Sequence, residues 1–242
     1  MTNLQYAAYR SIWGALDLLF PPYCGGCGRG GSRWCEDCQK RVKILDGILC
    51  EVCGLPQDEP GVCGACRTER PRFRALRAWA VFDDPVQSAL HKLKYRRDLS
   101  MGDALANQML PFVKNLGWKI DLAIPIPLSR QRMKERGYNQ VAMIANPLAM
   151  ALGLAYAPGE LTRQKATRSQ VGLTREERRD NVHAAFKAGG RVKGRTVLIL
   201  DDVSTTGATL SSAAEALYSA GAENVYALTV ARALPHHGLR HV

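Results

Sequence analysis

The sequence predicts an α/β protein in which a mainly parallel sheet is flanked by helices and carries a small cysteine-rich module before it. Two observations lead to this prediction. Segments of strand and helix character alternate from about Arg72 onward, which is typical of a parallel sheet with helices on its faces. All eight cysteines lie between Cys24 and Cys66, among Gly, Pro and charged residues. Such a segment builds no apolar core of its own, so bound metal must stabilise it.

Hydrophobic periodicity predicts the elements of the larger part. The predicted helices are Val86–Arg96, Met101–Leu116, Ser129–Glu135, Gln140–Leu152 and Thr209–Ala220. The predicted strands are Asp121–Ile126, Thr196–Leu200 and Val225–Val230. Ligands of such sheets bind beyond the carboxyl ends of the strands, so we expect the functional residues there.

Three regions follow from the changes in composition along the chain. Residues 1–22 are predicted to form a docking helix, residues 23–70 a double zinc ribbon and residues 71–242 the α/β domain. The N-terminal stretch lacks the basic start and the unbroken apolar run of a signal peptide, and no segment approaches transmembrane length. We therefore predict a cytoplasmic protein without a membrane span.

The cysteines form four CxxC pairs. They are Cys24/Cys27, Cys35/Cys38, Cys50/Cys53 and Cys63/Cys66. Two CxxC turns complete a tetrahedral thiolate site suited to Zn²⁺, and in a reducing compartment metal ligation is favoured over disulfides. Adjacent pairs would form two sites, and an interleaved arrangement is the alternative. Four thiolates leave no open coordination position, which favours structural zinc; a surface for nucleic acid or protein is the other interpretation.

The charge balance favours an anionic partner. Lys and Arg number 33 against 22 Asp and Glu, a formal net charge of +11, which suits nucleic acid or a phosphorylated substrate, while solubility is the other explanation. One predicted helix carries a group of cations that are candidates for nucleic-acid binding: Lys92, Lys94, Arg96 and Arg97. A solvated helix face is the alternative for this group.

The most informative segment is VLILDDVSTTGATL, residues 197–210. A buried strand is followed by Asp201 and Asp202, and then by the residues that open a helix: Thr205, Thr206, Gly207, Ala208 and Thr209. A helix N-terminus has free N–H groups and a positive dipole end, so it suits a phosphate dianion. The two carboxylates can accept hydrogen bonds from the vicinal hydroxyls of a sugar, directly or through water bound to Mg²⁺. The loop lacks the GxxxxGK[ST] pattern, which argues against ATP or GTP.

A diphosphate group would need further cations. Arg136 is the first candidate, because arginine binds phosphates through paired N–H groups and Gly137 after it permits a tight backbone turn. The segment from Leu161 to Phe186 is too rich in polar residues to be core.

The strand, the acid pair and the Thr-Thr-Gly-x-Thr loop resemble the hallmark of the type I phosphoribosyltransferases. This resemblance implies the type I phosphoribosyltransferase fold, with Asp201 and Asp202 at the ribose hydroxyls of phosphoribosyl diphosphate and residues 205–209 at its 5′-phosphate. It also implies a mobile loop over the diphosphate, for which the candidates are Arg163, Lys165 and Gln170. An exposed loop without this role is the alternative.

The order of motifs along nearly the whole chain resembles the ComF-like proteins, competence-associated relatives of phosphoribosyltransferases. Shared features include Lys94-Tyr95, IPIP followed by RGYNQ, and a loop with TRSQ and RRDNV. The resemblance implies phosphoribosyl diphosphate with Mg²⁺ as ligand, and single-stranded DNA and DNA-uptake proteins as partners. Two hypotheses follow: an enzyme that transfers phosphoribose to a nitrogen acceptor, and a non-catalytic module that senses a nucleotide and binds single-stranded DNA. The sequence identifies no general base.

Overall fold

The fold is built on a five-stranded parallel sheet. A computed structural model of the protein describes residues 2–164 and 185–234. Its strands are β1 (Ala75–Val81), β2 (Leu122–Pro125), β3 (Ala155–Tyr156), β4 (Leu161–Arg163), β5 (Phe186–Ala188), β6 (Thr196–Ser204) and β7 (Asn224–Arg232). The sheet has the order β1-β7-β6-β2-β3 with parallel pairing throughout, and β4 and β5 form a separate antiparallel pair. The predicted parallel α/β architecture is confirmed.

The helices connect the strands and cover the sheet. They are α1 (Thr2–Leu19), α2 (Glu36–Arg41), α3 (Gly64–Thr68), α4 (Val86–Tyr95), α5 (Ser100–Asn115), α6 (Arg130–Arg136), α7 (Gln140–Leu152) and α8 (Ala208–Ser219). All the helices predicted from Val86 onward are present, and each end lies within one residue of its predicted position. None of the helices between residues 2 and 234 that the structure describes is long and apolar enough to cross a membrane.

Each face of the sheet carries its own apolar core. On one face Leu90 of α4, Leu105 of α5 and Ile144 of α7 pack in a cluster that includes Leu198 of β6. On the other face α8 packs in a second cluster, which also contains the cysteine segment around Cys50. Burial on both faces explains why β6 begins as an unbroken apolar run instead of an alternating pattern.

The strands differ from the sequence prediction in two ways: β1, β3, β4 and β5 are not predicted, and β6 is longer than predicted. Sequence analysis predicts no strand at residues 75–81, where β1 forms the edge of the sheet beside β7. Its sequence ALRAWAV lacks alternation because most of it is buried on both faces, and alanine has a low strand propensity. Strand β6 continues past Leu200 to Ser204, since Asp201, Val203 and Ser204 still pair with β7. The acid pair therefore belongs to the strand and shares its rigidity.

Helix α1 packs against the α/β domain and the first cysteine segment. Tyr6 donates a hydrogen bond to Asn107 of α5 (2.6 Å). The Arg33 guanidinium forms an ion pair with Asp17 (2.5 Å) and lies 4.3 Å from the ring centre of Trp13. These contacts fit the predicted docking helix; the domain boundaries at residues 22 and 70 stay a prediction.

Candidate functional site

The two acids lie near the carboxyl end of β6, and Asp202 is held there by side chains from two helices. Lys94 Nζ from α4 is 2.9 Å from Asp202 Oδ2, and Gln140 Nε2 from α7 donates to the same oxygen at 3.0 Å. The backbone N–H of Val203 donates to Asp202 Oδ1 (2.7 Å). Asp202 is only 7% exposed. The protein itself thus supplies hydrogen bonds to both oxygens of this carboxylate.

The two carboxyl groups have different electrostatic environments. Burial would raise the pKa of Asp202, but the charge of Lys94 and the hydrogen bonds from Gln140 and Lys94 outweigh it and keep this pKa below its ordinary value. Burial and the neighbouring charge of Asp202 hold the pKa of Asp201 above its ordinary value. Asp202 is therefore charged at neutral pH within an ion pair, whereas a new cation or hydrogen-bond donor would favour the charged form of Asp201.

The predicted phosphate loop lies directly after these acids and opens α8. Gly207 caps the helix with φ +82°, the left-handed conformation that glycine adopts without steric cost. Four residues of the loop are exposed: Thr205, Thr206, Ala208 and Thr209. The first N–H groups of a helix have no intrahelical partner. In α8 the first of them, Ala208 N–H, donates to Thr206 Oγ1 (3.3 Å), and this end of the helix lies at the same edge as the acid pair.

Two predicted arginines lie near this edge with buried N–H groups. Arg136 ends α6, before Gly137 in the left-handed conformation (φ +80°), and stacks over Tyr95 of α4 at 5.3 Å. Arg163 ends β4; burial lowers its pKa, as does the charge of Arg132, while Asp201 acts in the opposite direction. Within residues 2–164 and 185–234, neither Arg136 Nη1 nor Arg163 Nε has a hydrogen-bond partner. Both atoms are therefore donors suited to an anionic ligand. The other two loop candidates, Lys165 and Gln170, lie outside the described residues.

The four cations predicted to bind nucleic acid do not share one exposed face. Lys92 Nζ donates to the carbonyl oxygen of Cys24 (2.7 Å), and Lys94 pairs with Asp202. Arg96 and Arg97 are exposed. The two lysines thus have partners within the protein, and a nucleic-acid role stays a prediction for all four cations.

Sequence analysis missed Lys94 as a partner of the acids and missed Gln140 altogether. Both lie inside short motifs noted above, the Lys-Tyr pair and RGYNQ. The presence of each residue in such a motif was the available signal. A motif within one segment does not show which other segment it contacts.

The cysteines form two compact clusters. They are Cys24, Cys27, Cys35 and Cys38, and Cys50, Cys53, Cys63 and Cys66, with the sulfur atoms of each cluster within 4.8 Å of one another. The distances between Sγ atoms include 3.6 Å for Cys24–Cys38 and 3.8 Å for Cys53–Cys63. A Zn–S bond of about 2.3 Å gives a tetrahedral edge of about 3.8 Å. The adjacent pairing is confirmed, and both clusters fit structural zinc.

Backbone donors favour the thiolate form, which zinc requires, at one cysteine of each cluster. Burial raises the pKa of the Cys24 thiol, but hydrogen bonds from the N–H groups of Cys27, Cys35 and Gly26 outweigh it and lower the pKa to about 6. The equivalent cysteine of the second cluster, Cys50, has the same environment and a pKa lowered to about 6. Burial raises the pKa of the Cys38, Cys53 and Cys66 thiols, so the backbone donors favour the thiolate at one cysteine of each cluster.

An acid pair and an open helix N-terminus at the carboxyl edge of a parallel sheet define a phosphoribosyltransferase-type domain, here joined to two zinc-ribbon clusters. Comparison with known families agrees: residues 15–67 match the double zinc ribbon domain and residues 139–238 match the phosphoribosyl transferase domain. The DNA utilization protein YhgH of Salmonella typhimurium is 33% identical over 211 residues, which cover 84% of this chain and 92% of that protein.

Two competence proteins are similar over comparable lengths. Competence protein ComFC of Bacillus subtilis is 29% identical, covering 91% of this chain and 89% of its own. Competence protein F of Haemophilus influenzae is 28% identical, covering 82% of this chain and 90% of its own. The chain belongs to the ComF-like family of competence and DNA utilization proteins, which confirms the resemblance seen in its motifs.

Proposed function

We propose that the chain binds phosphoribosyl diphosphate with Mg²⁺ at the carboxyl edge of the sheet and transfers the phosphoribosyl group to a nitrogen acceptor. The observation that carries this proposal is the position of the acid pair directly beside the open N-terminus of α8. The carboxylates suit vicinal hydroxyls and a hard cation, while the helix N–H groups suit a 5′-phosphate. One ligand that carries all three features is a ribose phosphate.

The arginines supply the charge needed at the other end of this ligand. Arg136 Nη1 and Arg163 Nε are buried donors without a partner in the described part of the chain, and a diphosphate offers them charge-assisted hydrogen bonds. Asp201 is the carboxylate best suited to Mg²⁺ or its bound water, because Lys94 already neutralises Asp202. When bound, Mg²⁺ would neutralise charge on the diphosphate.

The reaction is a displacement at C1′ of the ribose. The lone pair of the acceptor nitrogen forms the new C1′–N bond as the C1′–O bond to the diphosphate breaks. The diphosphate leaves with the electron pair of the broken C1′–O bond, and the acceptor nitrogen loses its proton to solvent. The residues of the site contribute by orienting the donor and by placing positive charge where the diphosphate gains negative charge.

Calorimetric titration of phosphoribosyl diphosphate with Mg²⁺ into the zinc-loaded protein tests this function. We expect micromolar binding that weakens by about a hundredfold in Asp201→Asn/Asp202→Asn, as loss of two charged acceptors predicts. Asp58→Asn/Glu59→Gln is the matched control, because it removes two negative charges from an exposed loop of the second cluster. Equal affinity in the acid-pair variant and the control would refute the site. Release of diphosphate in the presence of free bases or DNA ends then identifies the acceptor.

A second candidate function is single-stranded DNA binding without catalysis, and a groove at the opposite edge of the sheet favours it. The groove has a volume of about 660 Å³ and lies at the amino ends of β1 and β7. Its lining includes Arg70, Arg72 and Arg74, together with Trp118 stacked on Tyr226 at 4.6 Å. Arginines beside aromatic rings suit a phosphate backbone and its bases. The names of the relatives, DNA utilization and competence proteins, support such a partner in the cytoplasmic protein that the sequence predicts.

Two charge-reversal variants separate this groove from the exposed end of α4. If the groove binds single strands, Arg70→Glu/Arg74→Glu lowers the affinity for an oligodeoxynucleotide by about tenfold or more and flattens its salt dependence. Arg96→Glu/Arg97→Glu then retains wild-type affinity. The reverse result would place the DNA on α4, and no effect of either variant would exclude both surfaces. Binding of phosphoribosyl diphosphate should be the same in both variants.

A further inference from the structure

Arg232 is a buried cation that the proposed reaction does not use. It ends β7, pairs in register with Ser204 of β6 and is 2% exposed. Its Nη1 donates to the Ser204 hydroxyl (2.8 Å), and the next backbone N–H, from Ala233, donates to the Ser204 carbonyl (3.0 Å). Ser204 is itself 3% exposed and directly precedes Thr205, the first residue of the phosphate loop. The start of the loop is therefore held by Arg232 and its neighbour.

A buried guanidinium is costly unless negative charge lies near it. Burial lowers the pKa of Arg232, and the thiolates of the second cysteine cluster act in the opposite direction. With zinc bound, four thiolates and one divalent cation carry a formal charge of about −2. The thiolates of the second cluster therefore contribute negative charge that favours the charged form of this buried guanidinium.

Packing links the same cluster to the loop a second time. Cys50, Cys53 and Cys66 belong to one apolar core with Phe73 and the first turns of α8. Phe73 also contacts the loop, since a Cβ at Gly207 would lie 3.5 Å from its ring. The segment around the cluster joins the sheet by the hydrogen bond from Leu76 N to Val52 O (2.7 Å). The second cluster therefore contacts the phosphate loop indirectly, through the apolar core that contains Phe73.

The first cluster occupies a different place. It packs against α4 and α5 on the other face, where Lys92 bonds to the Cys24 carbonyl and a Cβ at Gly25 would meet Met101. Arg77 of β1 offers an internal comparison, because its Nη1 donates to the carbonyls of Cys50 (3.3 Å) and Glu51 (3.2 Å) without bonding to the loop.

We propose that Arg232 is a positioning residue that couples the second cysteine cluster to the phosphate loop, so that zinc at this cluster and phosphate at the loop stabilise each other. Zinc then does more than stabilise a small module, because it holds all four cysteines as thiolates, and the net negative charge of the loaded cluster offsets the burial of Arg232. This inference rests on the proposed function, since it requires that the loop binds a phosphate.

The first test measures the affinity for phosphoribosyl diphosphate with Mg²⁺ by calorimetry, in full-length protein that retains two zinc ions. We expect Arg232→Met to weaken binding by about tenfold or more, the usual cost of losing a charged hydrogen bond. Arg232→Lys should recover part of the affinity, because it keeps the charge. Arg77→Met removes an arginine from the same cluster and should bind as the wild type does.

Ser204→Ala keeps the test falsifiable if Arg232→Met does not fold. Because Arg232 acts through Ser204, Ser204→Ala should weaken binding alone, and the double variant with Arg232→Met should be no weaker than Arg232→Met. Wild-type affinity in Ser204→Ala or in Arg232→Met would overturn the inference. If the wild type itself does not bind phosphoribosyl diphosphate, the proposed function is refuted instead.

The second test uses zinc as the readout. Coupling between two sites is reciprocal, so saturating phosphoribosyl diphosphate should raise the zinc affinity of one of the two clusters in an equilibrium competition with a chelator. In Arg232→Met the ligand should leave the zinc affinity of both clusters unchanged. An unchanged zinc affinity in the wild type, under conditions where calorimetry shows the ligand bound, would rule out the coupling.

Discussion

The ion pair between Lys94 and Asp202 shows how one residue can change the character of a site. Lys94 is 15% exposed and Asp202 is 10% exposed at their side chains, so the pair is largely removed from solvent. Lys92, only two positions earlier, points to a different side of α4, because successive helical residues are about 100° apart. One lysine of this helix therefore contacts the acid pair, and the other contacts the first cysteine cluster.

Replacing Lys94 by Met leaves the Asp202 carboxylate buried without its cation. We expect Lys94→Met to lower the free energy of unfolding by about 2 kcal/mol at neutral pH. The pKa of Asp202 is depressed in the folded protein, so the pair stabilises the fold above the ordinary pKa of aspartate. This contribution is lost as the pH falls through the folded pKa. Urea titrations at several pH values should show a deficit that shrinks in acid.

Lys119→Met, at an exposed position, provides the control for the loss of a lysine. It should match the wild type at every pH. A Lys94→Met deficit of the same size at neutral and acid pH would mean that the ion pair with Asp202 is not its cause.

Among the secondary-structure elements, α7 owes its position to the residue that caps it. Asn139 Oδ1 accepts hydrogen bonds from the N–H groups of Val141 (2.9 Å) and Ala142 (3.4 Å), and its Nδ2 donates to the Ile126 carbonyl after β2 (2.9 Å). The same side chain thus starts the helix and ties it to the sheet. Gln140, the next residue, then reaches Asp202.

Asn139→Ala should lower the free energy of unfolding by about 1–2 kcal/mol, the sum of a lost cap and a lost tether. Ser129→Ala is the matched control, because Ser129 caps α6 through Arg132 N (3.2 Å) and α6 has no buried residue. Chemical denaturation should show the smaller loss for Ser129→Ala. Equal losses would indicate that the bond to Ile126 contributes nothing.

For the molecule as a whole, Arg33 is one of the residues that join the N-terminal helix to the rest. None of the residues 4–19 is fully buried, and polar contacts with α5 include Tyr6 with Asn107 and Arg10 with Asp103. Arg33 from the first cysteine segment pairs with Asp17 of α1 and lies 3.6 Å from Asp103 of α5. Three parts of the chain thus meet at one guanidinium.

Arg33→Ala should release α1 while leaving the sheet intact. We expect the amides of residues 4–19 to exchange as fast as those of an isolated helix in solution, while the protection of β6 and β7 stays unchanged. Arg29→Ala is the control on the same segment, because the Arg29–Asp37 pair is 69% and 60% exposed and contributes little. Retained protection of α1 in Arg33→Ala would show that its other contacts suffice.

Local patterns were enough to predict most of the fold and part of the site. The CxxC pairs specify their own clusters, because two turns close together in the chain meet without help from distant residues. The periodicity of the five helices predicted their ends, and the loop from Thr205 to Thr209 was predicted because its chemistry is contained in one segment. Strand β1 escaped prediction because burial on both faces removes the alternation that marks a strand.

The tertiary structure alone decided which distant side chains serve the site. Lys94 and Asp202 are separated by more than a hundred residues, and only the packing of α4 against the sheet brings them together. Arg232 faces Ser204 because β7 lies beside β6, a register that pairing between strands determines. The sequence by itself determined the chemistry available within each segment, because the local backbone conformation places residues that are close together in the chain. Which segments meet depends on how the faces of the sheet are covered, a property of the whole chain.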